Sequence, residues 1–162
     1  MKSVTIFLLI AISLLLLLLN SCAHISTDFF SIEIPPDWQV TKHTANEVTL
    51  WRKNVRNVEI YITASRVPNG LTLEENWRDY YNFIIKNKKV INQFEKKYNG
   101  VDWKGVTTEE INIEMVDMFT IKNNVRCMIF YGTEKNDFEK HYNEFQTFMR
   151  SVKLVSKRAE KK

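Results

Sequence analysis

Apolar residues recur along the chain with two different periods, and the alternation between them marks out the elements. In "FFSIEI", Phe30, Ile32 and Ile34 lie on one side of a predicted strand, which Pro35-Pro36 ends by removing backbone donors. A loop containing Trp38 is expected next. In "EVTLWRK" and "VEIYITASRV", Val48 and Leu50, then Val58, Ile60, Ile62 and Ala64, alternate with more polar residues, which predicts a hairpin turning around Asn54 to Arg56. Pro68-Asn69-Gly70 supplies the stop. A helix is predicted from Thr72, whose hydroxyl can cap free amides while Glu75, three positions on, returns to the Thr72 amide. Trp77, Tyr80, Tyr81, Ile84 and Ile85 form one stripe, with Glu75, Arg78, Asp79, Asn82 and Lys86 towards water, so this helix should cover a sheet.

Four further strands are predicted at about 89–98, 102–108, 111–122 and 125–133, the last two closing as a hairpin at Asn123-Asn124. "VRCMIFYG" is apolar on both faces and reads as a central strand, which makes Cys127 a small core side chain alternating with Val125 and Ile129 rather than a reactive thiol. A last helix begins at Asn136 or Asp137 and runs to Ser151, with Phe138, Tyr142, Phe145, Met149 and Val152 along one face. "KLV" at 153–155 predicts a short edge strand. The result is one α+β domain, residues 28–155, with no internal repeat or low-complexity segment.

Ahead of it lies a different composition. Lys2 and a largely apolar run of 16 residues from Val4 to Leu19 have the form of an export signal, and the run is short for a span that needs roughly 20 residues. Leu19-Asn20-Ser21-Cys22 resembles the bacterial lipobox, with Asn20 departing from the commoner Ala, Ser or Thr. That resemblance implies a lipoprotein signal peptide at 1–21, cleavage before Cys22, and a diacylglyceryl group on its thiol that ties the protein to a membrane. Ala23 stands where Asp would be the inner-membrane retention signal of Gram-negative sorting. The implied place is therefore the outer membrane, facing the periplasm, or the cell membrane of a Gram-positive source. An uncleaved anchor helix and an ordinary cleaved signal are the alternative readings. Residues 22–27 read as a tether.

The net charge of +4 changes the picture little once it is located. From Lys153 onward, five basic residues stand against Glu160 alone, and 156–162 reads as a basic disordered tail. The domain itself is near charge balance, which argues against nucleic acid as a partner despite the aromatic content.

The order of elements, with "FSIEIPPDWQV", the helix after "LTLEENW" and the closing "DFEKHYNEFQTFMRSVKL", resembles the PsbP-like fold family, which includes DcrB-type bacterial envelope lipoproteins. The resemblance covers residues 28–155 through packing signatures. It implies an antiparallel sheet flanked by helices in an α/β/α sandwich, no enzyme activity, and an adaptor, assembly or integrity role on other envelope components. Nothing matches the photosystem or Ran-binding roles of other members residue by residue.

No chemistry declares itself against this background. His24 falls in the tether, His43 in a polar loop, and His141 on what reads as the exposed flank of the last helix, so none offers an oriented base. No His or Cys spacing fits a metal, no glycine-rich loop fits a phosphate, and no cofactor is implied. Adjacent Glu109 and Glu110 point to opposite faces of a strand. Trp77 belongs to the helix stripe, whereas Trp38 and Trp103 sit beside loops and are the candidates for a partner-binding surface. The competing expectation is a small-ligand or hydrolytic cleft between the first helix and the strand around Trp103.

Overall fold

The computed structural model describes residues 23–155 of the 162-residue chain. The lipidation expected at Cys22, the leader at 1–21 and the tail at 156–162 lie outside the described residues. No helix among those described is long and apolar enough to cross a membrane.

The chain begins with β1 (Ala23–Ser26), β2 (Phe30–Ile34), β3 (Trp38–His43), β4 (Glu47–Arg52) and β5 (Glu59–Arg66). Helix α1 (Leu73–Tyr80) then continues into one wider π turn, Tyr81–Ile85. Four long strands follow: β6 (Lys89–Tyr98), β7 (Val101–Glu110), β8 (Ile113–Lys122) and β9 (Val125–Glu134). A short 3-10 turn leads into α2 (Phe138–Ser151), and β10 (Lys153–Leu154) closes the chain. The main sheet has seven antiparallel strands in the order β3-β4-β5-β9-β8-β7-β6, so β9 occupies the centre predicted for "VRCMIFYG". A second sheet, β1-β2-β10, is antiparallel as well.

Two elements depart from the sequence expectation. Residues 23–26, assigned to a tether, pair with β2 from Ala23↔Ile34 to Ser26↔Ser31, and Ile25 packs on the core. A segment with one apolar residue carries no periodicity, so its strand state depends on the partner that "FSIEI" provides. Trp38, expected in a loop, opens β3 and pairs with Arg52. The turns follow local chemistry: Asn123 and Asn124 both take positive φ (52° and 59°), as a two-residue hairpin connection requires. The capping box is also formed, with Thr72 Oγ1 accepting from the Glu75 amide (3.2 Å) and Glu75 Oε2 accepting from the Thr72 amide (3.0 Å).

The strand period of two gives the main sheet two faces. On one, Val116, Met118, Ile129, Tyr131, Ile60, Ile62 and Leu50 join α2 and the inner side of β2 in the large core. Tyr131 stacks on Phe145 of α2 with centroids 4.9 Å apart. Gly105 lies beneath Phe94 of the neighbouring strand, and a Cβ there would run into the ring. Among the described residues, the other face carries only α1 and its π turn. Phe119 meets Tyr80 (4.0 Å between centroids) and Trp77 (5.9 Å), with Ile85 and Val106 also buried. The helix-covered sheet is thus an α+β sandwich with one face well covered and the other partly.

Candidate functional site

The partly covered face leaves an open cleft of about 550 Å³ between α1 and the sheet. Its walls follow from strand register. Trp51 is opposite Glu59, Tyr61 opposite Phe130, Phe130 opposite Asp117, and Met115 opposite Gly132, so all these residues point to the α1 side. Ile84 of the π turn and Tyr80 of α1 form the facing wall. Tyr61 and Phe130 stack at 5.8 Å as an aromatic floor, and Phe130 meets the buried Phe119 edge-on at 6.4 Å beneath α1.

Polar side chains interrupt this apolar lining: Asn57, Glu59 and Lys88, and the one buried carboxylate, Asp117. Asp117 is 3% exposed and accepts a hydrogen bond from Tyr80 Oη at 2.7 Å. Burial pushes its carboxyl above the usual range, against the pull of the Tyr80 hydrogen bond and of Lys88. Burial and the adjoining carboxylate push the Tyr80 phenol up as well, so the proton stays on Tyr80. Lys88 is engaged with Glu110 at 2.8 Å. The cleft can therefore receive an apolar group and hold a donor against Asp117. Cys127 is fully buried on the opposite face, and burial pushes its thiol far up. Among the described residues, no group of three or more His, Cys, Asp or Glu is placed to hold a metal.

The residues selected from the sequence lie elsewhere. Trp38 is 3% exposed and Trp103 2%, so neither ring offers a partner surface. Trp38 packs in the core and donates its indole N–H to Glu144 Oε2 (3.3 Å). Glu144 also accepts from Arg52 Nε (2.8 Å) and Nη2 (3.0 Å). Burial raises the Glu144 carboxyl, but these donors outweigh it and hold the group below the usual range. Trp103 belongs to the large core, whereas its neighbour Lys104 pairs with Phe119 on the α1 side. The expected cleft beside the first helix exists, but it is built on β4, β5, β8 and β9 and not around Trp103.

His24 and His43 are exposed. His141, expected in solvent, is 1% exposed, with Nδ1 3.4 Å from Glu144 Oε1 and Nε2 without a partner. The buried side of α2 comprises Phe138, His141, Phe145, Phe148 and Met149, a spacing of three and four, widened by Met149, that includes this histidine. Glu109 pairs with Lys89 and Lys135, and Glu110 with Lys88, as alternation on a strand predicts. The sequence did carry one unused signal for the cleft, a lone aspartate inside the apolar strand "EMVDMFTI".

No family model matches the sequence, and no curated protein matches it. Solved structures do. The solution structure of the cyanobacterial PsbP protein, CyanoP, from Synechocystis has a TM-score of 0.64 at 13% identity, over 84% of this chain and 94% of that one. A crystal structure of a Bacteroides thetaiotaomicron protein has a TM-score of 0.62 at 12% identity, over 85% of this chain and 50% of that one. The protein PA94 of Pseudomonas aeruginosa, of unknown function, has a TM-score of 0.56 at 12% identity, over 80% and 92%. The chain has an α+β, PsbP-like fold.

Proposed function

We propose that this is a lipid-anchored, non-enzymatic envelope protein of the DcrB type, whose domain binds another envelope component by taking an apolar group into the cleft between α1 and the sheet. The observation that carries the binding reading is the aromatic-floored cleft with a single buried carboxylate, Asp117. Support for the anchor comes from Leu19-Asn20-Ser21-Cys22 after the apolar run Val4 to Leu19. Two acyl chains on Cys22 hold a protein at a bilayer where one does so only marginally. Ala23 directs the reading to the outer membrane, facing the periplasm, in a Gram-negative source.

Two measurements test the two parts. Intact mass of membrane-extracted protein is expected to lack residues 1–21 and to carry acyl chains, and a full-length unmodified mass would sink the lipid anchor. For the cleft, the chain expressed from residue 23 onward is titrated with the uncharged dye N-phenyl-1-naphthylamine. Saturable fluorescence is expected, with affinity reduced at least tenfold by Met115→Trp, which fills the cleft; equal binding by that variant overturns it. The same concavity suits a free small ligand in the periplasm. Crosslinking in membranes separates the two: an envelope protein captured by wild type and lost with Met115→Trp marks a partner, and capture of the bait alone marks the free ligand.

A further inference from the structure

We infer that one end of the main sheet, carrying the β7–β8 turn and the mouth of the cleft, is seated on the lipid bilayer, with Ile111 in the headgroup layer. This rests on the anchored reading above and adds an orientation to it.

Strand register defines the end. Ala23 pairs with Ile34, and Ile34 leads through Pro35-Pro36 to Trp38, which pairs with Arg52. Trp51 pairs with Glu59, Glu59 with Gly132, Ile113 with Glu134 and with Glu110, and Lys89 with Glu109. All these pairs lie at the same end of the sheet. The opposite end holds the turns after Tyr98 and after Lys122.

The occupant of this end follows from the covalent chain. Cys22 directly precedes Ala23, and Ala23 is already the first residue of β1, so no spacer separates the anchor from the sheet. Whether acyl chains on Cys22 or the apolar run from Val4 to Leu19 hold the membrane, the attachment enters here.

The surface at this end has the matching chemistry. Ile111 stands at the tip of the β7–β8 turn, 94% exposed, with a φ of +37° that a β-branched residue rarely adopts. Ile113 is exposed beside it, and Phe83 and Ile84 are exposed on the π turn that Lys88 ties to Glu110. Ile91 and Trp51 lie towards the same end. Asparagine turns stand at both ends, Asn99-Gly100 and Asn123-Asn124 at the far one and Asn54 and Asn57 at this one, so the exposed apolar side chains are what sets this end apart. Exposed apolar side chains gathered beside an anchoring point fit a lipid surface. The cleft, whose lining includes Ile84, Ile113 and Gly132, then opens towards the bilayer and admits an apolar group without a passage through water.

The test uses acylated protein extracted from membranes and reconstituted in phosphatidylcholine–phosphatidylglycerol vesicles. Ile111→Cys, Ile113→Cys and, at the far end, Lys122→Cys are each labelled with a nitrobenzoxadiazole dye, the buried Cys127 being out of reach of the reagent. Labels at 111 and 113 are expected to be quenched by brominated lipid and shielded several-fold from iodide relative to 122; position 113 serves independently of any disturbance of the turn. Equal iodide quenching at all three positions, in protein whose mass shows acylation, overturns the orientation and leaves the anchor standing. Unacylated protein that does not float with vesicles overturns both.

Discussion

Ile111 occupies a backbone conformation that elsewhere among the described residues goes to Asn54, Asn57, Asn99, Asn123, Asn124 and two glycines. A left-handed residue with a branched Cβ is disfavoured by about 1–2 kcal/mol, and asparagine relieves much of this by local hydrogen bonding. Ile111→Asn is therefore expected to stabilise the domain by about 1 kcal/mol, read as a higher urea midpoint, while weakening its hold on vesicles. Asp117 behaves similarly. Its folded-state carboxyl titrates above the unfolded one, so its buried charge destabilises the fold at neutral pH, and this penalty fades as pH falls through the raised value. Asp117→Asn should raise the thermal midpoint at neutral pH, with the gain shrinking in acid; a gain independent of pH would contradict the assignment. The aspartate was visible in the sequence as a misfit among apolar neighbours. Its hydrogen bond to Tyr80 was not, because 37 positions separate the two and only the packing of α1 brings them together.

At the scale of elements, α1 is the most exposed to loss. It has eight residues before the π turn and packs on one side only. Its capping box satisfies two of the end amides, those of Thr72 and Glu75. Thr72→Ala should lower stability by about 1 kcal/mol. Faster amide exchange confined to residues 73–85 is the sign that the loss is local. The start of this helix, the four long strands and the Asn-Asn hairpin were legible because each has a strong period or a turn with one chemical solution, whereas the π turn that leaves Ile84 exposed was not. The inward face of α2 was half legible. Met149 is buried as expected, but taking Tyr142 and leaving out His141 and Phe148 follows from treating histidine as polar, whereas the covering β2 and main sheet bury a wider arc. Trp38 and Trp103 were misplaced for a related reason, since proximity to a turn says nothing about which face a ring enters.

For the whole molecule, the unequal covering of the two sheet faces sets where it opens. Strand β9 lies at the centre, with Cys127 and Ile129 fully buried, so its amides should exchange only with global unfolding. The amides of α1 and the π turn should exchange through local opening at lower free energy, and comparable protection in both regions would show that the cleft wall is not an independent unit. That helices lie against a sheet could be read from alternating periods and a cleft beside the first helix was expected, but its place on β4, β5, β8 and β9 could not be read. A cavity is set by what fails to cover a face, and the second sheet that covers the other face includes β1, which has no pattern of its own.

Strand β1 also decides how the domain responds to a pull. A load applied through residue 22 reaches the Ala23–Ile34 pair first and is resisted by a ladder of four residue pairs. Once peeled, residues 23–26 extend to about 14 Å at 3.3–3.6 Å each, while β2 remains paired with β10. The same four residues thus give the domain two reaches: docked flush when the strand is zipped, and free to lift and turn when it is drawn out.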